Sequence, residues 1–142
     1  KLMKLLINII IAIILLNSSP LFAEIHTIDT EKLKKLISDG IALIDIRTEQ
    51  EWIDTGVIEG SNLITFFDKN GNFNAEEWMS RLQKIATKTD PVIIICRSGR
   101  RSDIVANYLN KKKDYLTVYD ATEGMKSWIN AKNIIVKPKP GG

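Results

Sequence analysis

The chain contains one cysteine, Cys96, and the residues around it are arranged for nucleophilic chemistry. The apolar run Pro91-Val-Ile-Ile-Ile-Cys96 is followed at once by Arg97, Ser98, Gly99, Arg100, Arg101 and Ser102, and then by a segment with helical spacing. A loop of this kind can curl so that several backbone N–H groups converge on one point, and Gly99 permits the positive φ that such a curl needs. The start of the following helix adds unpaired N–H groups and the positive end of its dipole. Arg97, Arg100 and Arg101 add charge, while Ser102 is placed to cap the helix and to donate to a sulfur or oxygen. Each contribution favours thiolate over thiol, and the thiolate is the nucleophile. The plain structural alternative is a core cysteine beside solvated arginines. The order strand, cysteine, basic glycine loop, helix favours the nucleophile.

Elements on either side position this loop. Ile41–Ile46 and Pro91–Cys96 are short, nearly continuous apolar runs, which suit strands buried on both faces of a parallel sheet. Tyr115–Tyr119 is a third strand, and Ile25–Ile28 and Asn62–Ile64 are weaker ones. Between them, Thr30–Ser38 has Leu33, Leu36 and Ile37 on one face, with Gly40 as a stop. Thr48-Glu-Gln-Glu51 has capping-box spacing and opens a short helix through Trp52. Asn74 caps a helix over 75–86, Ser102–Lys113 is helical, and so is Thr122–Ala131. The alternation predicts an α/β fold, an open and mainly parallel sheet with helices on both faces. In such sheets ligands bind beyond the carboxyl ends of the strands, where Cys96 stands.

These motifs resemble the single-domain rhodanese family. That family's active loop is six residues beginning with the nucleophilic cysteine, commonly Cys-Arg-x-Gly-x-Arg/Thr, and Cys96-Arg-Ser-Gly-Arg-Arg101 fits it, with Ser102 a usual next residue. Its early Leu-Ile-Asp-Val-Arg is matched by Leu43-Ile-Asp-Ile-Arg47, and the usual Glu-Glu-aromatic after it by Gln50-Glu-Trp52. Gly56-Val-Ile-Glu-Gly-Ser61 aligns with Gly-His-Ile-Pro-Gly-Ala, and Glu123-Gly-Met-Lys-Ser-Trp128 with a late Gly-Gly-x-x-x-Trp. The resemblance covers about residues 26–130. It departs at Val57, Glu59 and Glu123. Val57 removes a polar group from the expected pocket rim, and Glu123 adds a negative charge there.

The resemblance implies that Asp45 and Arg47 lie near the active loop and help to shape it. Structural support ranks above substrate contact for Asp45, and the two rank equally for Arg47. Glu51 is a further partner for Arg47. His26, the sole histidine, stands at the start of the fold and reads as a surface or edge-strand residue, not a general base. Asp68-Lys-Asn-Gly-Asn72 places its glycine too early for a calcium loop and reads as a solvated turn. Trp52, Trp78 and Trp128 read as core or pocket wall, and Lys111–Lys113 as a solvated helix end.

Bulk properties narrow the setting. The 142 residues suggest one domain, and 44% hydrophobic with 26% charged residues is ordinary for a folded chain. The formal charge is +3, but Lys1 and Lys4 account for two of the 20 basic residues, leaving 18 against 17 acidic ones in the remainder. A nucleic-acid surface is not supported. One cysteine excludes an intramolecular disulfide, and with a single histidine neither a metal site nor a cofactor is expected. Residues 1–23 read as a signal peptide: a basic start, an apolar stretch from Leu5 to Leu16 broken by Asn8, then Asn17-Ser-Ser-Pro20 and Ala23. That stretch is short of the about 20 apolar residues a membrane span needs. The expected organisation is signal peptide 1–23, rhodanese-like domain 24–136 and disordered tail 137–142. An exported, periplasmic monomer is expected, and membrane attachment only if the N-terminal segment stays uncleaved as an anchor.

The expected activity is sulfur transfer. Cys96 takes the outer sulfur of a small sulfur-containing anion such as thiosulfate, or of a persulfide donor, and passes it to a thiol or cyanide. Arg97, Ser98, Gly99, Arg100, Arg101 and Ser102 bind the substrate. The alternative is a non-catalytic sulfur-carrier or binding module. A phosphatase or arsenate reductase ranks lower, because those enzymes place arginine six positions after the cysteine, where this chain has Ser102.

Overall fold

The two continuous apolar runs are neighbours at the centre of the sheet. In the computed structural model, which describes residues 23–139 and, separately, Met3, β2 (Ala42–Asp45) pairs in parallel with β4 (Val92–Ile95), Leu43 opposite Ile93 and Asp45 opposite Ile95. The remaining strands are β1 (Glu24–Ile28), β3 (Asn62–Leu63) and β5 (Thr117–Ala121), and the order across the sheet is β1-β5-β4-β2-β3. Every pairing is parallel. All carboxyl ends of the strands therefore lie along one edge.

The helices are α1 (Thr30–Ser38), α2 (Glu49–Thr55), α3 (Ala75–Leu82), α4 (Arg100–Lys113) and α5 (Gly124–Asn130). Alternation along β4 divides the core in two. Val92, Ile94 and Cys96 face α3 and α4, packing with Trp78, Leu82 and Val105. Ile93 and Ile95 face α1 and α5, packing with Leu33, Leu36 and Trp128. Burial on both faces explains why β4 reads as an unbroken apolar run. The open α/β architecture with helices on both faces is the one expected.

Several boundaries differ from the sequence expectations, each for a local reason. α4 begins at Arg100, not Ser102, because Gly99 turns the chain at φ 91° and its carbonyl already accepts the first helical bond, from Asp103 N–H at 3.1 Å. Ser102 is thus not a cap, and the helix has no side-chain cap. β5 starts two residues late because Tyr115 is drawn wholly inside and donates its hydroxyl to the Ala86 carbonyl at 2.9 Å. α3 stops at Leu82, after which Ile85 N–H bonds to the Leu82 carbonyl in a tight turn and Ile85 is left at the surface. α2 runs past Trp52 to Thr55, started by the expected capping box of Thr48 and Glu51. His26 lies on the edge strand β1, its ring stacked on Tyr119. Asp68 closes its turn by accepting from the backbone of Asn70 and Asn72, both at 2.8 Å. Among the described residues no group of His, Cys, Asp and Glu is clustered to hold a metal ion, and no helix is long and apolar enough to cross a membrane.

The expected signal segment lies outside the described residues except for Met3 and Ala23, as do residues 140–142 of the expected tail. Val136 is tied back to the domain by a two-way backbone bridge to Val57, both bonds at 2.9 Å. Val57 is accordingly buried, 4% exposed.

Candidate active site

Cys96 directly follows β4, and the chain turns through only Arg97, Ser98 and Gly99 before α4 begins. The tightness of that turn brings backbone donors back onto the sulfur. Gly99 N–H donates to Cys96 Sγ at 3.1 Å and Ser102 N–H at 3.4 Å. Ser102 Oγ lies 3.6 Å from the same sulfur and itself donates to the Gly99 carbonyl at 3.0 Å. Cys96 is 1% exposed and Ser102 fully buried, so these contacts act where water screens them little. A sulfur ringed by N–H groups at a helix start is an anion-binding geometry.

Arginines of the loop divide into two kinds. Arg97 and Arg100 are exposed, as is Ser98, and their groups are free to meet a small anion. Arg101 instead turns to Glu51, with Nη1 to Oε2 at 2.8 Å and Nη2 to Oε1 at 2.6 Å. Burial pushes the Glu51 carboxyl up, but hydrogen bonds from Arg101 and Thr48 outweigh it and hold Glu51 at about 2. Arg101 is correspondingly raised, first by Glu51 and further by the nearby Cys96. The carboxylate of Glu51 therefore serves this arginine, not Arg47 as the sequence suggested.

Arg47 is occupied elsewhere. Its Nε and Nη2 bind the Asp45 carboxylate at 3.0 and 2.7 Å. Nη1 reaches Thr55 Oγ1 at 2.7 Å and the Glu51 carbonyl at 3.4 Å, and Nη2 also reaches the Gly56 carbonyl at 2.8 Å. All five guanidinium N–H groups thus have protein acceptors, and Asp45 and Arg47 are each 1% exposed. The pair fastens the end of β2 to the far end of α2, which carries Glu51. This geometry places Arg47 on the structural side of the two roles that the sequence left level.

A second clamp comes from α5, and sequence reasoning did not single it out as part of the site. Met125 N–H donates to the Cys96 carbonyl and Lys126 N–H to the Arg97 carbonyl, each at 2.9 Å. Gly124, at φ 57°, lies so close that a Cβ there would run into the carbonyls of Cys96 and Arg97. A Cβ on Gly99 would in turn meet Glu123 N at 3.0 Å. The signal for this clamp was the late Gly-x-x-x-Trp, read only as a resemblance. Glu123 sits in the left-handed region at φ 65°, a backbone state that suits the first glycine of that motif.

Beside the loop is an open pocket of about 420 Å³, lined by Arg97, Lys126, Asp54, Met125 and Ile129 among others. A larger pocket of about 590 Å³ lies at the β3 edge and holds none of the loop residues. Of the residues from Cys96 to Ser102, Arg97 alone borders the smaller one.

Residues 29–131 match the protein family described as the rhodanese-like domain. An uncharacterized Rickettsia prowazekii protein, RP600, is 31% identical over 94 residues, covering 64% of this chain and 74% of the relative. The Arabidopsis thaliana mitochondrial protein HIGH ARSENIC CONTENT 1 is 26% identical over 110 residues, covering 76% of this chain and 64% of that protein. Among solved structures, a rhodanese-related protein from Thermoplasma volcanium superposes with a TM-score of 0.61 at 23% identity, covering 80% of this chain and 99% of that one.

Proposed function

Because this chain belongs to the rhodanese-like domain family, we propose that it is a sulfurtransferase working through a Cys96 persulfide. The thiolate Sγ attacks the outer sulfur of thiosulfate or of a persulfide donor. The donor's S–S bond breaks, and sulfite or the donor thiolate leaves with the electron pair. An acceptor thiol or cyanide then attacks the outer sulfur of the Cys96 persulfide, and the Cys96 thiolate returns. No proton has to be moved by a separate base when the nucleophile is already ionised.

The observation that carries this reading is the convergence of the Gly99 and Ser102 N–H groups on Sγ. The same donors suit a thiolate and an anionic persulfide in turn. Exposed Arg97 and Arg100 are the groups to draw in a small anion. Cys96 is the only cysteine in the sequence, so the bound sulfur has no internal thiol to resolve it and must leave to an outside acceptor. The test is incubation with thiosulfate followed by intact-protein mass measurement. A gain of about 32 Da, absent in Cys96→Ser, is expected. No adduct from thiosulfate or persulfide donors sinks the proposal.

The near-complete burial of Cys96 favours one further reading, a carrier that holds sulfur without turnover. Adding cyanide to the loaded protein separates the two. Thiocyanate release with return to the starting mass supports transfer, and a stable adduct supports the carrier. The basic and apolar segment over residues 1–23 supports export to the periplasm, with an uncleaved anchor as the alternative, and cell fractionation with N-terminal sequencing decides between them. A monomer is the proposed state in solution.

A further inference from the structure

The larger pocket, at the β3 edge, is not used by the chemistry above. Residues 57–64 line it, together with Arg81, Lys84 and Ile85 from the end of α3 and the turn after it. Val136, Lys137 and Lys139 complete it, from the segment that the Val57–Val136 bridge ties down. Its surface is of two kinds. Leu63, Val136 and Ile85 offer apolar contact, the first two half-buried and Ile85 38% exposed. Arg81, Lys84, Lys137 and Lys139 are all exposed, and they stand against one carboxylate, Glu59. Among the described residues none of these five charged groups takes part in an ion pair. Outside residues 1–23 the chain has 18 basic and 17 acidic residues, so four unpaired cations around one groove are a local excess.

The sheet edge adds main-chain groups. β3 is an outer strand, with Ile44 opposite Asn62 and Asp45 opposite Leu63. Ile64 N–H donates inward to the Asp45 carbonyl at 3.1 Å. Backbone groups alternate in direction along a strand, so the N–H and C=O of Leu63 face away from β2, towards the open edge. The Leu63 carbonyl accepts from Arg81 Nη2 at 3.3 Å, a long and exposed bond. Edge groups of this kind are a template for a further strand.

We propose that this groove binds an extended, acidic segment of a partner protein, added as a short strand beside β3. A peptide N–H replaces Arg81 on the Leu63 carbonyl, and the freed guanidinium takes a carboxylate. Main-chain pairing then supplies affinity, and side chains at alternate positions supply specificity. A segment that alternates acidic and apolar residues suits a lining that is part cationic and part apolar. The local excess of cations selects an acidic segment, and the edge groups of Leu63 select a peptide over an anionic lipid. The site is separate from sulfur transfer, and Cys96→Ser is expected to bind as the wild type does.

Fluorescence anisotropy with a labelled, end-capped Glu-Val hexapeptide tests this, with the Leu63 amide resonance followed by NMR. Saturable binding that moves the Leu63 amide is expected, and it weakens as salt rises. The same peptide with an N-methylated backbone lacks main-chain donors and binds about 3–10 fold more weakly. The matching Lys-Val peptide does not bind. Lys84→Glu and Lys139→Glu, both at exposed positions, each weaken the Glu-Val peptide by about 3–10 fold. Absence of saturable binding overturns the proposal, as do equal binding of the N-methylated or Lys-Val peptide, an unmoved Leu63 amide, or wild-type affinity in both charge-reversed variants. Capture on phosphatidylglycerol vesicles without peptide binding assigns the groove to a lipid surface, and self-association that displaces the peptide assigns it to a second copy of this chain. Either result overturns the proposal.

Discussion

Glu51 and Arg101 meet across 50 residues of sequence in a two-pronged ion pair. The same Glu51 Oε2 also accepts the Thr48 N–H at 3.0 Å, so one carboxylate caps α2 and holds the last arginine of the cysteine loop. The start of α2 and the start of α4 are thereby joined at the mouth of the site. Glu51→Gln keeps a capping acceptor and loses the charge. It is expected to lower the unfolding free energy by about 1 kcal/mol, as suits a half-exposed pair with good geometry. Urea denaturation at neutral pH measures it, and a variant as stable as the wild type counts against a structural role for this pair.

The same carboxylate predicts an acid limb. Glu51 is held at about 2 when folded, against an ordinary value of 4.5. The unfolded chain therefore binds the proton first, and the stabilisation by Glu51 is complete above about 4.5 and lost as pH falls towards about 2. Wild type and Glu51→Gln should differ most near neutrality and converge across that window. A constant difference from pH 6 to about 2.5 would show that the ion pair is not what the substitution removes.

Asp45 and Arg47 form a buried pair whose loss is more costly. Asp45→Ala leaves a guanidinium at 1% exposure without its counter-charge. A loss of about 3–5 kcal/mol is expected, enough to unfold a marginal domain at body temperature. Thermal unfolding followed by circular dichroism reads it directly.

Two glycines in the left-handed region separate backbone strain from close approach. Gly60, at φ 78°, has nothing within 4 Å of a built Cβ, whereas Gly124 has the carbonyls of Cys96 and Arg97. Gly60→Ala should cost about 1 kcal/mol, and Gly124→Ala at least about 3 kcal/mol, because the clash adds to the strain. Gly124→Ala should also reduce the thiosulfate adduct in the fraction that folds, since relief of the clash moves the cysteine loop. Equal effects at the two positions would remove the clamp from the account.

The arginines should separate by function. Arg97→Ala is expected to raise the thiosulfate concentration needed for half-maximal loading by about 3–10 fold, with the effect shrinking in high salt. Arg101→Ala should instead resemble Glu51→Gln in stability, because Glu51 already occupies its guanidinium. Loading curves at two salt concentrations, with denaturation curves alongside, distinguish the two patterns.

Much of this was legible in local sequence because the causes are local. Continuous apolar runs at 41–46 and 91–96 mark strands covered on both faces, and they are the paired centre of the sheet. The capping box at Thr48 and Glu51 is a matter of three-residue spacing, and it formed. The place of Cys96 at the carboxyl end of a parallel strand followed from alternation alone. Ser102 was misplaced as a cap because the left-handed turn at Gly99 starts the helix two residues early, which makes Ser102 a buried contact of the sulfur.

What spacing could not supply were pairings between segments far apart in the chain. Glu51 was assigned to Arg47 by nearness in sequence, yet Arg47 is saturated by Asp45, Thr55 and two carbonyls, which leaves Glu51 to Arg101. The sequence by itself determined the place of the cysteine at the end of a strand and the order of strands, turns and helices, since these depend on residue type and period. Tertiary structure alone decided which charges meet and which glycine must stay bare, since those depend on which faces the parallel sheet brings together.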